Sequence, residues 1–444
     1  MPVKVHEHPL IVPASLCREL CSCGGKHPAP GATLYAAADA PAVLAADYRA
    51  LYGQRELLLL SDPLTHAAAG ARVLEALHGQ GVAVDHLLLG DEPSATEELA
   101  ESVRSRALGK QLIVAVGAGT VNDLAKFAAD RNGMLYWTMP TAPSMNGFTS
   151  SISAVKIKGI KLTVPAAPPQ RLYADPAVIC AAPLKLRQAG FCDVLAKVVS
   201  NIDWRSDSLL FDGGYCRLPS ALMAGVEESY SAHPQAIGRG EPTAVMGLFH
   251  GLLVSGVAMS LAGSSAPASG GEHLVSHFWD MREPLTGRVP ELHGLQVGAG
   301  ILLSTACYAR LAELDGNALA DRAESEYTAT AARIPVIWGR YADEVARQFQ
   351  GKHDQLMRFD TLLPLHWAEL LTLFRQVRSP EYFLDLFRNT GLDFNLASLR
   401  LSADEFMLAA HNCRAIRSRI TVLDFAAHAG VLDEAAEATL ALLS

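Results

Sequence analysis

The sequence predicts an α/β N-terminal domain with a parallel sheet (1–175) followed by an all-α C-terminal domain (176–444), and two changes of pattern carry that expectation. Through the first 140 residues, short apolar runs alternate with amphipathic segments, the order that builds a parallel sheet with helices on its faces. From about residue 180 nearly every segment has helical spacing, with stops at caps and Pro/Gly breaks. The stretch between, 150–180, is rich in Pro, Ser and Ala and reads as the connection between the two domains.

Taken in order, "RELLLLSD" (55–62) is apolar without alternation, which suits a strand buried on both faces. "THAAAGARVLEALHGQG" (65–81) follows as a helix and "VAVDHLLLGD" (82–91) as a strand. A helix near 95–108 leads to strand "QLIVAVGAG" (111–119), helix "TVNDLAKFAAD" (120–130) and strand "MLYWTMP" (134–140). Further on, Ser379 before Pro380 opens a helix, Ser402 with Glu405 forms a capping box, and Gly430 closes that region. Residues 244–262, "AVMGLFHGLLVSGVAMSLA", carry no formal charge and are nearly long enough to cross a bilayer. They contain His250, several glycines and two serines and lack basic or aromatic flanks, so a buried helix with no membrane span is expected.

The 444 residues are enough for two cores, and 50% apolar with 19% charged residues is the composition of a globular enzyme. A formal charge of -9 excludes the basic footprint of a nucleic-acid binder. No N-terminal signal pattern is present, so the eight cysteines are expected to be reduced thiols in a cytoplasmic protein. Cys17, Cys21 and Cys23 with His27 could hold a metal, but the second spaced pair of a structural site is missing.

"VAVGAGTVND" (114–123) ends a strand in Gly117 and Gly119 and opens a helix, whose free amides and positive dipole end suit a pyrophosphate. Asn122 stands where a third glycine would complete the fingerprint, and a lone G-x-G also fits a structural turn. Asp62, ending an earlier strand, could hold an adenosine ribose. After the next strand, "PTAPSMNGFTSS" (140–151) brings the hydroxyls of Thr141, Ser144, Thr149 and Ser150 around Gly147. Two polar, glycine-bearing loops at successive strand ends favour a nucleotide cleft.

Three pieces of the helical half carry ligand-type side chains: "GFCDVLAK" (190–197), "GGEHLVSHFWDM" (270–281) and "ELHGLQVG" (291–298). Asp193, His273 and His293 would give one carboxylate and two imidazoles, a set for zinc, iron or nickel with an open position. Any one of them alone would more often be a satisfied core group. His273 and His277 lie four apart and share a helix face. A zinc protease would read H-E-x-x-H, whereas Glu272 here precedes the first histidine, which excludes that hydrolase.

With "DW" (203–204) and "RAIRSRITVLD" (414–424), these pieces resemble the glycerol-1-phosphate dehydrogenase branch of the iron-containing alcohol dehydrogenase and dehydroquinate synthase superfamily. They occur in that family's order over roughly residues 50–430. The resemblance implies a Rossmann-like first domain and a dehydroquinate synthase-like helical second one. It implies NAD(P) along Asp62, Gly117, Ala118, Gly119, Thr120, Val121, Thr141, Ser144 and Ser150, and one divalent metal on Asp193, His273 and His293. Zinc is the first expectation, with nickel or iron as alternatives. Asn146, Asp193 and His277 would face the substrate. The family usually has Asp where this chain has Asn146, and Gly where it has Cys192. The first change puts substrate identity in question; the second affects packing. Lys197 stands where related alcohol dehydrogenases place a further histidine, and it could steer an anionic substrate or pair with an acid nearby.

The activity so implied is NAD(P)H-dependent reduction of dihydroxyacetone phosphate to sn-glycerol 1-phosphate, in a homodimer serving phospholipid metabolism. Lewis-acid help would come from the metal, hydride from the nicotinamide, and the proton from water or His277. The rival readings are a polyol dehydrogenase or an NAD-using sugar-phosphate cyclase of the same superfamily, and a non-catalytic binding protein that kept the fold.

Overall fold

The computed structural model describes residues 6–9, 21, 27, 33–158, 160–211, 213–316, 319 and 322–444. The chain divides into two compact units, Met1–Val194 with Arg217–Ser265, and Leu195–Cys216 with Ala266–Ser444. This differs from a single cut after residue 175, and the apolar helix Pro242–Ala262 supplies the reason. It packs on the helices Pro176–Cys180, Arg217–Val226, Glu228–Ser231 and Pro234–Arg239. Its Val245, Phe249 and Leu253 share a core with the sheet residues Leu34, Leu172 and Ala174. Length and composition alone would let this helix cross a membrane, yet most of it is buried.

The first unit is built on a sheet of β1 (His6–Pro9), β2 (Thr33–Ala36), β3 (Leu57–Ser61), β4 (Val84–Leu88), β5 (Ile113–Gly117), β6 (Tyr136–Pro140) and, further on, Arg171–Ala174. Between β6 and that last strand, β7 (Ile152–Ile157) and β8 (Ile160–Pro165) form an antiparallel hairpin, which makes Arg171–Ala174 β9. The order is β1-β2-β9-β6-β5-β3-β4, parallel throughout except for β1 against β2. Leu57 and Leu59 enter the core on one face with Val114 and Val116. Leu58 and Leu60 enter the other with Ile113 and Ala115. The unbroken apolar runs thus feed two cores through the strand's two-residue period.

Residues 150–180 are more than a connection. They contribute the β7–β8 hairpin and β9, which sits between β2 and β6. Four residues are too few to show a strand period, so β9 left no local signal. The order reverses between β3 and β5, because β4 lies on one side of β3 while β5 and β6 lie on the other. Ligands of open α/β sheets bind outside the carboxyl ends of strands at such a switch point.

Among its described residues the second unit is helical throughout. The expected caps are present: Ser402 with Glu405 as a capping box, Ser379 accepting from the Tyr382 amide, and Gly430 ending its helix at a φ of 76°. The helices Gly271–Thr286 and His293–Leu311 pack closely enough that a Cβ on Gly300 would lie 2.1 Å from the Glu272 carbonyl oxygen.

Candidate active site

In the first unit the switch point holds Asp62, after β3, and the glycine turn, after β5, while the other expected loop follows the neighbouring strand β6. Gly117 closes β5, and a Cβ there would come within 2.6 Å of the Val121 side chain, so glycine is required for the turn into Gly119–Arg131. That helix starts at Ala118 without a side-chain cap, leaving its first amides and positive dipole end to the loop. Asn122, in the third-glycine position, is packed into the interior. Asp62 follows β3 and caps Pro63–Thr65, its Oδ1 accepting from the Thr65 amide at 2.9 Å.

The loop 140–151 is fastened from several directions within the same unit. The Thr141 amide donates to the Gly117 carbonyl at 3.2 Å, tying the loop to the glycine turn. A Cβ on Gly190 would lie 1.8 Å from the Pro143 carbonyl oxygen, and one on Gly256 would lie 2.3 Å from Thr149 Oγ1. Thr149 donates its hydroxyl to the Leu253 carbonyl at 2.6 Å. Asp193 Oδ2 accepts from the backbone N–H of Asn146 at 2.7 Å, so the proposed ligand carboxylate and the residue expected to contact substrate are one hydrogen bond apart. Cys192, beside Asp193, is buried and its thiol is pushed up by that burial.

Lys126 does the most for this loop and was not anticipated. Fully buried, it donates to the carbonyls of Gly147, Ser150 and Ile152 at 2.6, 2.9 and 3.0 Å and reaches Ser150 Oγ at 3.2 Å. Ser150, itself buried, donates onward to the Gly147 and Ile152 carbonyls, so its hydroxyl serves the loop's own shape. Burial pulls the Lys126 ammonium down to about 8, with Asp123 one turn away opposing it, and it remains charged at neutral pH. Its neighbours one turn away, Asn122, Asp123 and Asp130, are polar, so the local sequence gave no sign that it is buried. Lys126→Met should remove the one group that ties the Gly147, Ser150 and Ile152 carbonyls together and cost about 1–3 kcal/mol. A urea titration would show it as a lower midpoint, and an unchanged midpoint would remove this role.

In the second unit, His273 and His277 stand on Gly271–Thr286, and His293 is the first residue of His293–Leu311. Their ring centroids lie 5.2 Å (273–293), 5.5 Å (277–293) and 6.1 Å (273–277) apart. His273 and His277 are buried and His293 is partly exposed. Ligand atoms of His277, Asp280 and His293 come within 4.8 Å of one another, a second donor set that the sequence did not suggest. Lys197 opens Lys197–Phe211 and is buried.

The motif residues around this cluster hold its helix in place. Asp203, from "DW", accepts from the amides of Gly271 and Val422 at 2.7 Å each and from the Tyr308 hydroxyl. A Cβ on Gly270 would sit 2.5 Å from that carboxylate, which explains the first of the two glycines before Glu272. Arg419 donates to the Ser269 carbonyl, so "RAIRSRITVLD" reaches the same turn. Burial, then the charge of Glu272, pushes the Asp203 carboxyl up to about 8.

The iron-containing alcohol dehydrogenase family model matches residues 39–183. The chain is 33% identical over 261 residues to glycerol-1-phosphate dehydrogenase [NAD(P)+] of Halalkalibacterium halodurans, covering 58% of this chain and 65% of that one. It is 33% identical over 268 residues to the enzyme of that name from Bacillus velezensis, covering 58% and 68% respectively. A probable glycerol dehydrogenase from Sinorhizobium meliloti has a similar fold, with a TM-score of 0.61 at 18% identity over 94% of this chain and 98% of that one. The match to the first relative thus spans just under two thirds of its length. The chain belongs to the glycerol-1-phosphate dehydrogenase family, within the iron-containing alcohol dehydrogenases.

Proposed function

We propose that this chain is a metal-dependent NAD(P)H oxidoreductase that reduces dihydroxyacetone phosphate to sn-glycerol 1-phosphate. The observation that carries the reading is the cluster of His273, His277 and His293 on two tightly packed helices, in a chain whose relatives bear that enzyme's name. Two imidazoles and a carboxylate such as that of Asp193 would give a donor set suited to zinc, with nickel and iron as alternatives. Asp193, His273 and His293 would hold the ion. The uncapped helix start beside Gly117 fits a dinucleotide pyrophosphate in the same way.

When bound, the metal supplies Lewis-acid polarisation of the ketone and the nicotinamide supplies hydride. The chain's own residues do the rest. Gly117, Ala118, Gly119, Thr120 and Val121 would offer backbone to the pyrophosphate, Asp62 would take a ribose hydroxyl, and the loop bearing Thr141, Ser144 and Ser150 would hold the nicotinamide end. Asp62 would repel a 2'-phosphate, which favours NADH. Asn146 contacts the triose, Lys197 binds its phosphate, and His277 delivers a proton to the carbonyl oxygen. We further read the protein as a cytoplasmic homodimer in phospholipid metabolism.

The test is a nicotinamide-absorbance assay of zinc-loaded enzyme with dihydroxyacetone phosphate. Net NADH oxidation is expected, with phosphorylated triose preferred to free dihydroxyacetone. Equal efficiency for the two would move the chain to the polyol dehydrogenases. Turnover without net NADH change would make it a cyclase.

A further inference from the structure

We infer that Glu272 and the Ser276–Gln296 pair are positioning residues that fix the tautomers of His273 and His293, so that both rings carry the proton on Nδ1 and present the Nε2 lone pair to a cation. This rests on the metal reading above and on hydrogen-bond directions found wholly within the second unit.

For His293 the direction follows from a chain of groups, each with one available role. The Glu291 carbonyl can only accept, so the atom of Gln296 that faces it at 2.8 Å is the amide Nε2. The Oε1 atom therefore faces Ser276 Oγ, also at 2.8 Å, and a carbonyl-type oxygen again can only accept. The single hydroxyl proton of Ser276 is committed to that bond. What Ser276 Oγ offers His293 Nδ1, 2.8 Å away, is a lone pair, so Nδ1 must carry the proton. In the neutral ring Nε2 is then bare. Asp280 Oδ2 lies 4.0 Å from the same Nδ1, beyond hydrogen-bond reach, and does not compete.

For His273 the device is a carboxylate. Glu272 Oε1 accepts from the Gly270 amide at 2.8 Å and lies 2.7 Å from His273 Nδ1. This oxygen already acts as an acceptor toward a backbone N–H, and as an acceptor it takes its second hydrogen bond from the ring, so His273 too donates from Nδ1. Glu272 is held there by the backbone: Gly270 admits the close approach, and Gly300 lets the second helix reach the Glu272 backbone. A histidine in water prefers its proton on Nε2, so the fold overrides the default twice. Partners of this kind orient metal-ligating imidazoles and raise their basicity, and losing one typically costs about 10–100-fold in metal affinity.

The experiment reads tautomers on the full-length chain stripped of metal, carrying ring-15N histidine, by long-range 1H–15N correlation where the imidazoles are neutral. His273→Gln and His293→Gln assign the two signals by their loss. Both rings are expected to show a protonated Nδ1 and a bare Nε2. Gln296→Leu should free the Ser276 proton and shift the His293 tautomer while leaving His273 unchanged. Zinc affinity should fall about 10–100-fold in Ser276→Ala and in Glu272→Gln. Ser276→Thr, which keeps the hydroxyl, should restore it. A wild-type ring protonated on Nε2 would overturn the inference, as would a Gln296→Leu chain with an unmoved His293 signal. The tautomers are read without metal, so a wild-type chain that binds no zinc refutes the metal reading separately.

Discussion

His273→Ala and His293→Ala should each lose the metal, and turnover with it. A Lewis acid on the ketone supplies several kcal/mol of transition-state stabilisation, and each 1.36 kcal/mol is a decade in rate, so a fall of about 10³-fold or more is expected. Dialysis of wild-type enzyme against a chelator should abolish activity, and a divalent ion should restore it. The bland alternative is that these are packed core histidines, and the geometry of the cluster argues against it. Three rings with centroids 5.2–6.1 Å apart gather imidazole nitrogens, two of the rings buried, at a place where apolar side chains would pack at less cost. Metal content by emission spectrometry, beside a circular-dichroism check of the fold, decides between the two. Full metal and full rate in either variant would show that the ligand set is misassigned.

How far the sequence reached depended on whether a signal was local. The leucines of 57–60 and the apolar run 113–117 announce doubly buried strands because burial on both faces removes every polar residue from a short segment. The glycine turn at 117–119 and the i, i+4 pair His273/His277 are likewise written in adjacent residues. Polar residues whose role is set by distant backbone were not legible. Lys126 is an ammonium inside a protein, intelligible only once the carbonyls of Gly147, Ser150 and Ile152 converge on it. Asp203 likewise matters through amides 68 and 219 residues away in the chain. The unit boundary was missed for a related reason. Nothing within 242–262 says that this helix will back the sheet, since an apolar helix specifies burial but not a partner.

His277→Ala should keep its metal and its NADH and lose most of its rate. His277 lies one turn beyond His273 on the same face, and in this reading only His273 and His293 of the three touch the ion, with Asp193. The structure also supplies the competing arrangement, because His277, Asp280 and His293 have ligand atoms within 4.8 Å of one another. The two readings part company in the variant. A proton donor removed from an otherwise intact site costs about 10²–10⁴-fold, and the loss falls on kcat, because the proton moves in the transition state and substrate binding is little affected. A ligand removed from the second set would instead empty the site, and the rate would fall with the metal content. Asp280→Asn adds an independent arm, expected to retain stoichiometric zinc if Asp280 is no ligand. Stoichiometric zinc in His277→Ala with a low kcat and an unchanged KM assigns the proton to His277. An empty site in both variants would transfer the ion to His277, Asp280 and His293 and leave the proton to be delivered by another group.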